Sequence, residues 1–225
     1  MLKREVEEII KRCFENVPFH NLYFMNDVIP HSTQWGGTCS DIVLGVQKSL
    51  ADNGIKSHLH SSFINGEETH RLLRIIIDEE EYFADVGNGW PSMKLFSAAN
   101  ETEYSCYGIT FRSILEDEFL HISNIRKGVE KRSVSVPLVS KSEQLILRDI
   151  ERRYVSEIEY PYKNSIRFAQ VIDNRFLFLR GDILYIYSTD VEDCEEIDVS
   201  EHNLSTVLSS YFRFDLNHFL SKNNR

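Results

Sequence analysis

The hydrophobic pattern of the chain changes at Gly54, and this change constrains the fold more than any other feature. Before Gly54 the apolar residues recur at i, i+3, i+4 and i+7, the spacing of a helix that buries one face. One such helix is predicted to end at Val17-Pro18, and a second is predicted from Cys39, or just before it, to Asn53. After Gly54 the apolar residues lie in short β-rich runs. The sequence therefore predicts separate helical and β regions, which is an α+β fold.

Short strands dominate the chain after Gly54, and two further helices are predicted among them. The strands are predicted at residues 55–64, 70–77, 81–86, 105–112, 118–123, 165–172, 175–180 and 183–188. The helices are predicted near residues 141–153, with Leu145, Ile146 and Ile150 buried, and near residues 201–212, where the last helix is expected. Loops are predicted at residues 18–38, at the charged turn Lys127 to Arg132, and at the acidic stretch Asp190 to Glu196.

Length, composition and charge exclude several classes of function. The chain has 225 residues, of which 42% are apolar, enough for one large domain or two small lobes around a sizeable core. Its net charge of −10 argues against nucleic-acid binding, which needs a basic stripe. No apolar run approaches the roughly 20 residues that span a bilayer. The charged N-terminus also lacks the apolar centre of a signal peptide. We expect a cytoplasmic protein with no membrane or nucleic-acid partner.

The cysteines and histidines give no pattern for a metal site. The four cysteines, at positions 13, 39, 106 and 194, are scattered and form no CxxC pair, so a zinc knuckle is not predicted. In a reducing cytosol they are expected to be free thiols. His58 and His60 share one face of a predicted strand, but no third ligand stands near them in the sequence. The prediction is therefore no metal.

One cysteine, one histidine and one aspartate stand at the edges of predicted elements. Cys39 follows Gly36-Gly37-Thr38 at the start of a helix, where backbone N–H groups and the helix dipole favour a thiolate. His70 opens an apolar strand, and Asp85 closes the next one. This order of residue types indicates a cysteine nucleophile with its base and the carboxylate that orients the base.

The turn at Asp78-Glu79-Glu80 decides whether His70 and Asp85 can meet. If the loop has two or four residues, the numbers of paired positions sum to an odd value. His70 and Asp85 then share a face and an end of the sheet. A three-residue loop would put the two side chains on opposite faces. The predicted triad therefore requires a turn of even length.

Four ordered motifs resemble those of the arylamine N-acetyltransferases. They are Pro18-Phe19-His20-Asn21-Leu22, Gly36-Gly37-Thr38-Cys39, His70-Arg71-Leu72-Leu73 and Asp85-Val86-Gly87-Asn88-Gly89. Weaker similarities at Gly108 to Arg112, Phe176 to Leu184 and Leu208 to Leu216 extend the resemblance over nearly the whole chain. The resemblance implies an N-terminal helical lobe, a central antiparallel β-barrel and a C-terminal α/β lid around a cysteine-protease-like core.

The same resemblance implies a division of the chain and a chemistry. Residues 1–54 would carry the nucleophile, residues 55–140 the histidine and aspartate, and residues 141–225 the lid. In a ping-pong reaction Cys39 would take an acetyl or other short acyl group from acetyl-CoA, or from another acyl-CoA, as a thioester. His70 would act as the base, and Asp85 would orient it. A small-molecule amine would accept the acyl group. No permanently bound cofactor is implied, and no CoA-binding residue is identified.

The chain departs from the pattern of the family at several positions, among them Ser40-Asp41-Ile42-Val43 after the cysteine, and two of the departures remove charges. Members of the family usually carry Glu where His20 stands and Arg where Trp35 precedes Gly-Gly, so two opposite charges are absent here. We expect His20 and Trp35 to be packing partners. These changes bear on the walls of the site more than on its three catalytic positions, so the acceptor amine stays open.

Other functions remain compatible with the same triad. One is a biosynthetic amide synthase that uses a carrier-bound or CoA-bound acyl chain. Another is a transglutaminase-like or papain-like thiol hydrolase, in which water resolves the thioester. A non-catalytic binding protein on this scaffold is a further alternative. The matched Cys39, His70 and Asp85 argue against it, because a scaffold without catalysis has no physical need for them.

Overall fold

The computed structural model describes residues 1–154, 163–189 and 193–223 of the chain. The helices within these residues are α1 (Leu2–Asn16), α2 (Leu22–Met25), α3 (Cys39–Asp52), α4 (Glu143–Arg152), α5 (Leu204–Phe212) and α6 (Leu216–Asn223). The strands are β1 (Phe19–His20), β2 (Ser57–Ile64), β3 (Glu67–Ile77), β4 (Glu80–Ala84), β5 (Phe96–Ser97), β6 (Thr102–Cys106), β7 (Ile109–Glu116), β8 (Phe119–Arg126), β9 (Val129–Pro137), β10 (Arg167–Ile172), β11 (Arg175–Arg180), β12 (Ile183–Ser188) and β13 (Glu195–Asp198). A short 3₁₀ helix covers Thr33–Trp35.

Eight strands form an antiparallel sheet that curls into a nearly closed barrel. Their spatial order is β5-β4-β3-β2-β9-β8-β7-β6. The two edge strands approach each other, since the Ser97 N–H donates to Thr102 Oγ1 at 3.1 Å and the Phe96 ring lies 5.7 Å from that of Tyr104. The central antiparallel β-barrel implied by the resemblance is confirmed.

A second antiparallel sheet has the order β1-β10-β11-β12-β13, and its two faces bury different cores. Because side chains alternate across a strand, Phe176 and Phe178 face the core shared with the barrel and α1, whereas Leu177 and Leu179 face α5 and α6. The helical lobe, the barrel and the C-terminal α/β region therefore pack as one molecule. This α+β architecture agrees with the predicted fold class.

The strand β1 comes from the N-terminal region and pairs with β10 of the C-terminal sheet, with Phe19 opposite Ala169 and His20 opposite Phe168. Its other side faces the segment before Cys39, where the His20 N–H donates to the Gly37 carbonyl at 2.8 Å. Residues 18–38 were predicted as mostly loop, and β1 and α2 are additions to that prediction. The strand β1 thus joins the C-terminal sheet to the start of α3.

The helices α1 and α3 confirm the two predicted N-terminal helices, and the meander β10-β11-β12 confirms the predicted strands there. Three other predictions were wrong. Residues 105–112 are two strands, because Tyr107 and Gly108 both have positive φ and form a hairpin turn between them. The turn predicted at Lys127 to Arg132 ends at Gly128, and β9 follows it directly. Strand β3 begins three residues before His70, at Glu67.

The C-terminal region also differs in detail from the prediction. Leu145 on α4 is 46% exposed, whereas Ile146 and Ile150 are buried as expected. The helix α6 follows α5, which was predicted to be last. Of the acidic stretch, residues 190–192 lie outside the described residues, and Glu195 begins β13 rather than continuing a loop. No helix in the described residues is long and apolar enough to cross a membrane.

Candidate active site

Cys39 is the first residue of α3, and the residues around it fix that helix start. The backbone N–H and the hydroxyl of Thr38 both donate to Asp41 Oδ2, at 2.8 and 3.1 Å, which caps the first turn. Gly37 has φ +138°, and a Cβ there would lie 2.4 Å from the same Asp41 oxygen. Only glycine fits this approach. The Cys39 N–H lies in the first turn, where it has no acceptor within the helix.

The hairpin between β3 and β4 brings His70 and Asp85 together. Its loop has two residues, Asp78 and Glu79, both at positive φ, and Ile77 lies opposite Glu80. The register is therefore the odd one that the predicted triad requires. His70 Nε2 lies 2.7 Å from Asp85 Oδ1, and both side chains are buried.

The residues after Asp85 hold its carboxylate and bring the end of the hairpin against the nucleophile. The Asn88 amide donates to Asp85 Oδ2 at 2.5 Å and accepts from the Trp90 N–H at 2.8 Å. A Cβ on Gly87 would lie only 2.5 Å from the Cys39 Cα, so a larger residue would push the helix start away. The sequence motif contained Asn88 and Gly87 without revealing these two roles.

The imidazole of His70 lies between two acidic partners. Burial lowers its pKa, but the Asp85 charge, the hydrogen bond to Asp85 and the contact with Cys39 outweigh burial and raise the pKa to about 9. Because Nε2 faces Asp85, Nδ1 is the ring nitrogen left for the interaction with Cys39. His70 is therefore an imidazolium near neutral pH.

Arg153, just after α4, is a further residue of the site, and the sequence analysis missed it. Its Nη1 lies 3.4 Å from Cys39 Sγ and 2.5 Å from Ser40 Oγ. The hydroxyl of the next residue, Tyr154, donates to Asp41 Oδ2 at 2.7 Å. No local signal could have found Arg153, because it follows a charged helix end more than 100 positions after the cysteine.

The thiol of Cys39 is strongly acidic. Its burial raises the pKa, but the Arg153 charge, together with the hydrogen bond and charge of His70, outweighs burial and lowers the pKa to about 5. Burial also raises the pKa of the neighbouring Asp41 carboxyl. Two half-buried thiols differ from it, because desolvation raises the pKa of both Cys13 and Cys106 to about 12. Cys39 is thus the acidic thiol among these three.

A cavity of about 540 Å³ opens onto Cys39 and His70 between the barrel and the C-terminal sheet. Among the described residues its lining contains six basic side chains, those of Arg126, Lys131, Arg132, Arg153, Arg167 and Arg180, and one acidic side chain, that of Glu67. Trp90 and Tyr185 are among the aromatic residues of its wall. Lys131 and Arg132 were predicted to lie in a solvated turn rather than a binding patch. The structure places both on β9 rather than in a turn, where they line the cavity.

His20 and Trp35 meet below the site as packing partners. His20 Nε2–H donates to the Trp35 carbonyl at 2.8 Å, and His20 Nδ1 accepts from the Leu22 N–H at 3.2 Å. The ring is fully buried among aromatic side chains, and burial lowers its pKa to about 4. A neutral hydrogen-bonded histidine therefore occupies the position where the family usually has a carboxylate.

The two histidines of β2 have protein partners of their own. His60 Nε2 lies 2.7 Å from the Pro137 carbonyl, and His58 Nδ1 lies 3.3 Å from Glu143 Oε2. Within residues 1–154, 163–189 and 193–223, no group of three or more His, Cys, Asp or Glu side chains is arranged to hold a metal ion.

Comparison with solved structures gives the class of this fold. The chain is similar to the arylamine N-acetyltransferase of Mycobacterium marinum in complex with CoA (TM-score 0.81, 15% identity, covering 96% of this chain and 88% of that one). It is also similar to the Mycobacterium tuberculosis arylamine N-acetyltransferase (TM-score 0.81, 14% identity, 96% and 88% covered). Arylamine N-acetyltransferase C of Bacillus anthracis gives a TM-score of 0.75 at 14% identity, with 95% and 92% covered.

Comparisons by sequence alone give no such likeness: no protein-family model and no curated protein matches the chain. The fold of the chain is that of the arylamine N-acetyltransferases. The fold implied by the resemblance of the four sequence motifs is therefore confirmed. The structures are similar although the sequences are only about 15% identical.

Proposed function

We propose that the chain is an arylamine N-acetyltransferase-like acyltransferase that moves a short acyl group from CoA to an amine through a Cys39 thioester. The observation that carries this proposal is the placement of Cys39 at a helix start on the same cavity as His70, whose ring hydrogen-bonds the Asp85 carboxylate. The arrangement has the three parts that covalent acyl transfer needs, which are an ionised nucleophile, a base and a carboxylate that orients the base.

In the first half-reaction the Cys39 thiolate attacks the carbonyl carbon of the acyl-CoA thioester. The new C–S bond forms, the bond to the sulfur of CoA breaks, and the proton of the His70 imidazolium goes to the departing CoA thiolate. The Cys39 backbone N–H, which has no helical acceptor, is a suitable donor to the transient oxyanion. The acyl group then remains on Cys39 as a thioester.

In the second half-reaction an amine attacks the thioester, and the now neutral His70 takes the proton of the amine. The bond to Cys39 breaks, the amide leaves, and the thiolate–imidazolium pair is restored. Asp85 holds the imidazole with Nδ1 toward the reacting atoms in both steps. The two half-reactions use the same groups in opposite protonation states, as a ping-pong reaction requires.

The basic lining of the cavity supports CoA as the donor. CoA carries phosphate groups, and arginine side chains bind phosphate through paired N–H donors. Arg126, Arg167 and Arg180 lie in the lining away from the thiol, on strands of both sheets. The chain has a net charge of −10, so this basic surface is a local feature. The similar acetyltransferase from Mycobacterium marinum was solved with CoA, which also supports this choice.

The direct test is intact-protein mass spectrometry after mixing with acetyl-CoA and no amine. We expect one acetyl-sized adduct on the wild-type chain and none on Cys39→Ala, with loss of acyl transfer in that variant. Cys13→Ala and Cys106→Ala are the matched controls, and both should form the adduct. A Cys39→Ala chain that retained even a tenth of the activity would exclude covalent catalysis by this residue.

A second measurement separates the acyltransferase from the hydrolase and the amide synthase. Release of free CoA from a panel of acyl-CoAs is followed with and without candidate amines. An amine-dependent release supports the acyltransferase. Steady release of CoA without any amine would show that water hydrolyses the thioester, which indicates a hydrolase. Acylation only by carrier-bound chains would indicate an amide synthase.

A further inference from the structure

We propose that Arg153 is a catalytic residue, a second cation that faces the Cys39 sulfur and stabilises its thiolate both before the attack on the acyl-CoA and when the sulfur leaves the acyl group. The inference rests on the proposed function and extends it. The three-residue triad couples the charge of the thiolate to that of the imidazolium. A cation that does not titrate would free His70 to change its protonation state during the reaction.

The contact geometry carries the proposal. Arg153 Nη1 lies 3.4 Å from Cys39 Sγ, within the range of an N–H···S hydrogen bond, and the arginine is only 8% exposed. The guanidinium is anchored by Ser40 Oγ at 2.5 Å and lies over the Phe24 ring at 5.3 Å. A long side chain fixed on two sides loses its freedom to turn away from the sulfur.

Within the described residues, charged groups reach Cys39 from several parts of the fold. His70 faces the sulfur from β3, with Asp85 behind it, and Asp41 lies on α3 itself. Arg153 faces the sulfur from the end of α4. Asp41 and the thiolate disfavour each other's charge, so a cation between them lowers the free energy of both. Arginine stays protonated at every pH at which proteins fold.

The acyl-enzyme shows why a second cation matters. Once Cys39 carries the acyl group, its negative charge is gone, and His70 loses one of the two anions that raise its pKa. The Arg153 charge remains and disfavours a second cation close by. His70 is then neutral and ready to take the proton of the amine. When the C–S bond breaks, the electron pair that returns to the sulfur faces Arg153.

The test measures the ionisation of the thiol, which requires neither CoA nor an amine. The rate of alkylation by iodoacetamide is followed against pH for wild type, Arg153→Met and Tyr154→Phe. For Arg153→Met we expect the midpoint to rise by about one to three pH units, the effect of losing an opposite charge within ~4 Å. At high pH the variant should react faster, by about threefold for each pH unit, because a more basic thiolate is a better nucleophile.

The variant Tyr154→Phe is the matched control, because Tyr154 also ties this segment to α3 but contacts Asp41 rather than the sulfur. Its midpoint should equal that of wild type. If the segment had only a structural role, the midpoints of Arg153→Met and Tyr154→Phe would shift by the same amount. The pH profile of Arg153→Met would then not cross that of wild type while the profile of Tyr154→Phe stays unchanged. Equal midpoints in wild type and Arg153→Met would overturn the proposal.

Two further variants keep the test decisive if Arg153→Met does not fold. Arg153→Lys retains the charge and should keep the midpoint well below that of an ordinary cysteine. Ser40→Ala removes an anchor of the guanidinium and should raise the midpoint slightly. A lysine variant with the ordinary cysteine midpoint of about 8.5 would overturn the proposal. If the Arg153 variants show the expected shifts of the alkylation midpoint but the wild-type chain forms no acetyl adduct, the proposed function is contradicted and the role of Arg153 is not.

Discussion

Two fully enclosed histidines, His70 at the site and His20 below it, have opposite charge states. Their exposed fractions are 1% and 0%, so burial disfavours the charged form of both. Yet the pKa of His70 is raised to about 9, whereas that of His20 is lowered to about 4. The same residue type at the same depth is a cation in one place and neutral in the other.

The difference lies in the partners of each ring. His70 lies between the Asp85 carboxylate and the Cys39 thiolate, and two anions outweigh the cost of burying its charge. His20 has only neutral partners, the Trp35 carbonyl and the Leu22 N–H, within a shell of rings. That shell consists of Tyr23, Phe168, Phe214 and Phe219. Partners rather than depth therefore decide which buried histidine can move protons at neutral pH.

Removing the charged partner of His70 is expected to have the largest effect. Asp85→Asn keeps the size of the side chain but replaces an acceptor with an amide that can present N–H to the ring, which favours the wrong tautomer. The equivalent change in a serine triad costs on the order of 10⁴ in turnover. A smaller loss is expected here, because a thiol needs less help from its base than a hydroxyl does. The measurement is kcat for acyl transfer together with the melting temperature of the variant.

The two measurements on Asp85→Asn separate catalysis from structure. A proposed role in orienting His70 predicts a large loss of rate with a nearly unchanged melting temperature. If Asp85 served only to end strand β4, the variant would melt at a lower temperature and keep near-normal activity.

A charge placed at position 20, inside the aromatic shell, tests whether that environment requires a neutral side chain. His20→Glu puts an acceptor-only carboxylate against the Trp35 carbonyl, and the partners of this ring among the described residues are neutral. An uncompensated buried charge costs about 3–5 kcal/mol, so we expect a loss of unfolding free energy of that order at neutral pH. Denaturant unfolding at pH 7 measures this loss.

The matched control for this change is His20→Gln, which has the size of glutamate and can donate to the Trp35 carbonyl as histidine does. Its unfolding free energy should be closer to that of wild type than to that of His20→Glu. Equal stability of the two variants would show that charge is tolerated at this position and would remove the contrast between the two histidines.

The pH dependence of stability gives the smallest expected effect. His20 has a folded pKa of about 4, below the value of about 6.5 in the unfolded chain. Below pH 6.5 the His20 ring is protonated in the unfolded chain but stays neutral in the folded chain. The free energy of unfolding therefore decreases as the pH falls toward 4. Between pH 7 and pH 5 this contribution is about 2 kcal/mol for a histidine with these pKa values.

His20→Gln should lack this contribution, so its unfolding free energy should fall less than that of wild type between pH 7 and pH 5. Denaturant midpoints at both pH values measure the difference. Cys39 and His70 do not obscure it, because both groups are unchanged in the variant and cancel in the comparison. Parallel losses in the two chains would mean that His20 does not titrate far below its ordinary pKa.

Local sequence patterns were sufficient to predict much of the fold. The buried faces of α1 and α3 follow from helical spacing, and the C-terminal meander follows from short apolar runs between turns. The sequence left the length of the turn after Ile77 open, and the structure shows the even, two-residue loop that puts His70 and Asp85 on one face of the sheet. These features depend on neighbours within about 20 residues of one another along the chain.

Features that depend on distant contacts were missed. The strand β1 has only two residues, which is too short for a period, and it exists because β10 pairs with it about 150 positions later in the chain. Arg153 follows an ordinary charged helix end, and its role comes from where α4 packs against the start of α3. The reach of Lys131 into the cavity likewise depends on the pairing of β9 within the barrel.

The pairing of β1 with β10 has a consequence for how the protein is made. During synthesis domains fold from the N-terminal side first, so the helical lobe and the barrel leave the ribosome while Phe19 and His20 still lack a partner strand. Arg153 also arrives after both lobes. In a nascent chain Cys39 therefore lies next to an incomplete set of charges, and its thiol reaches its full acidity only when the last third of the polypeptide has folded onto the rest.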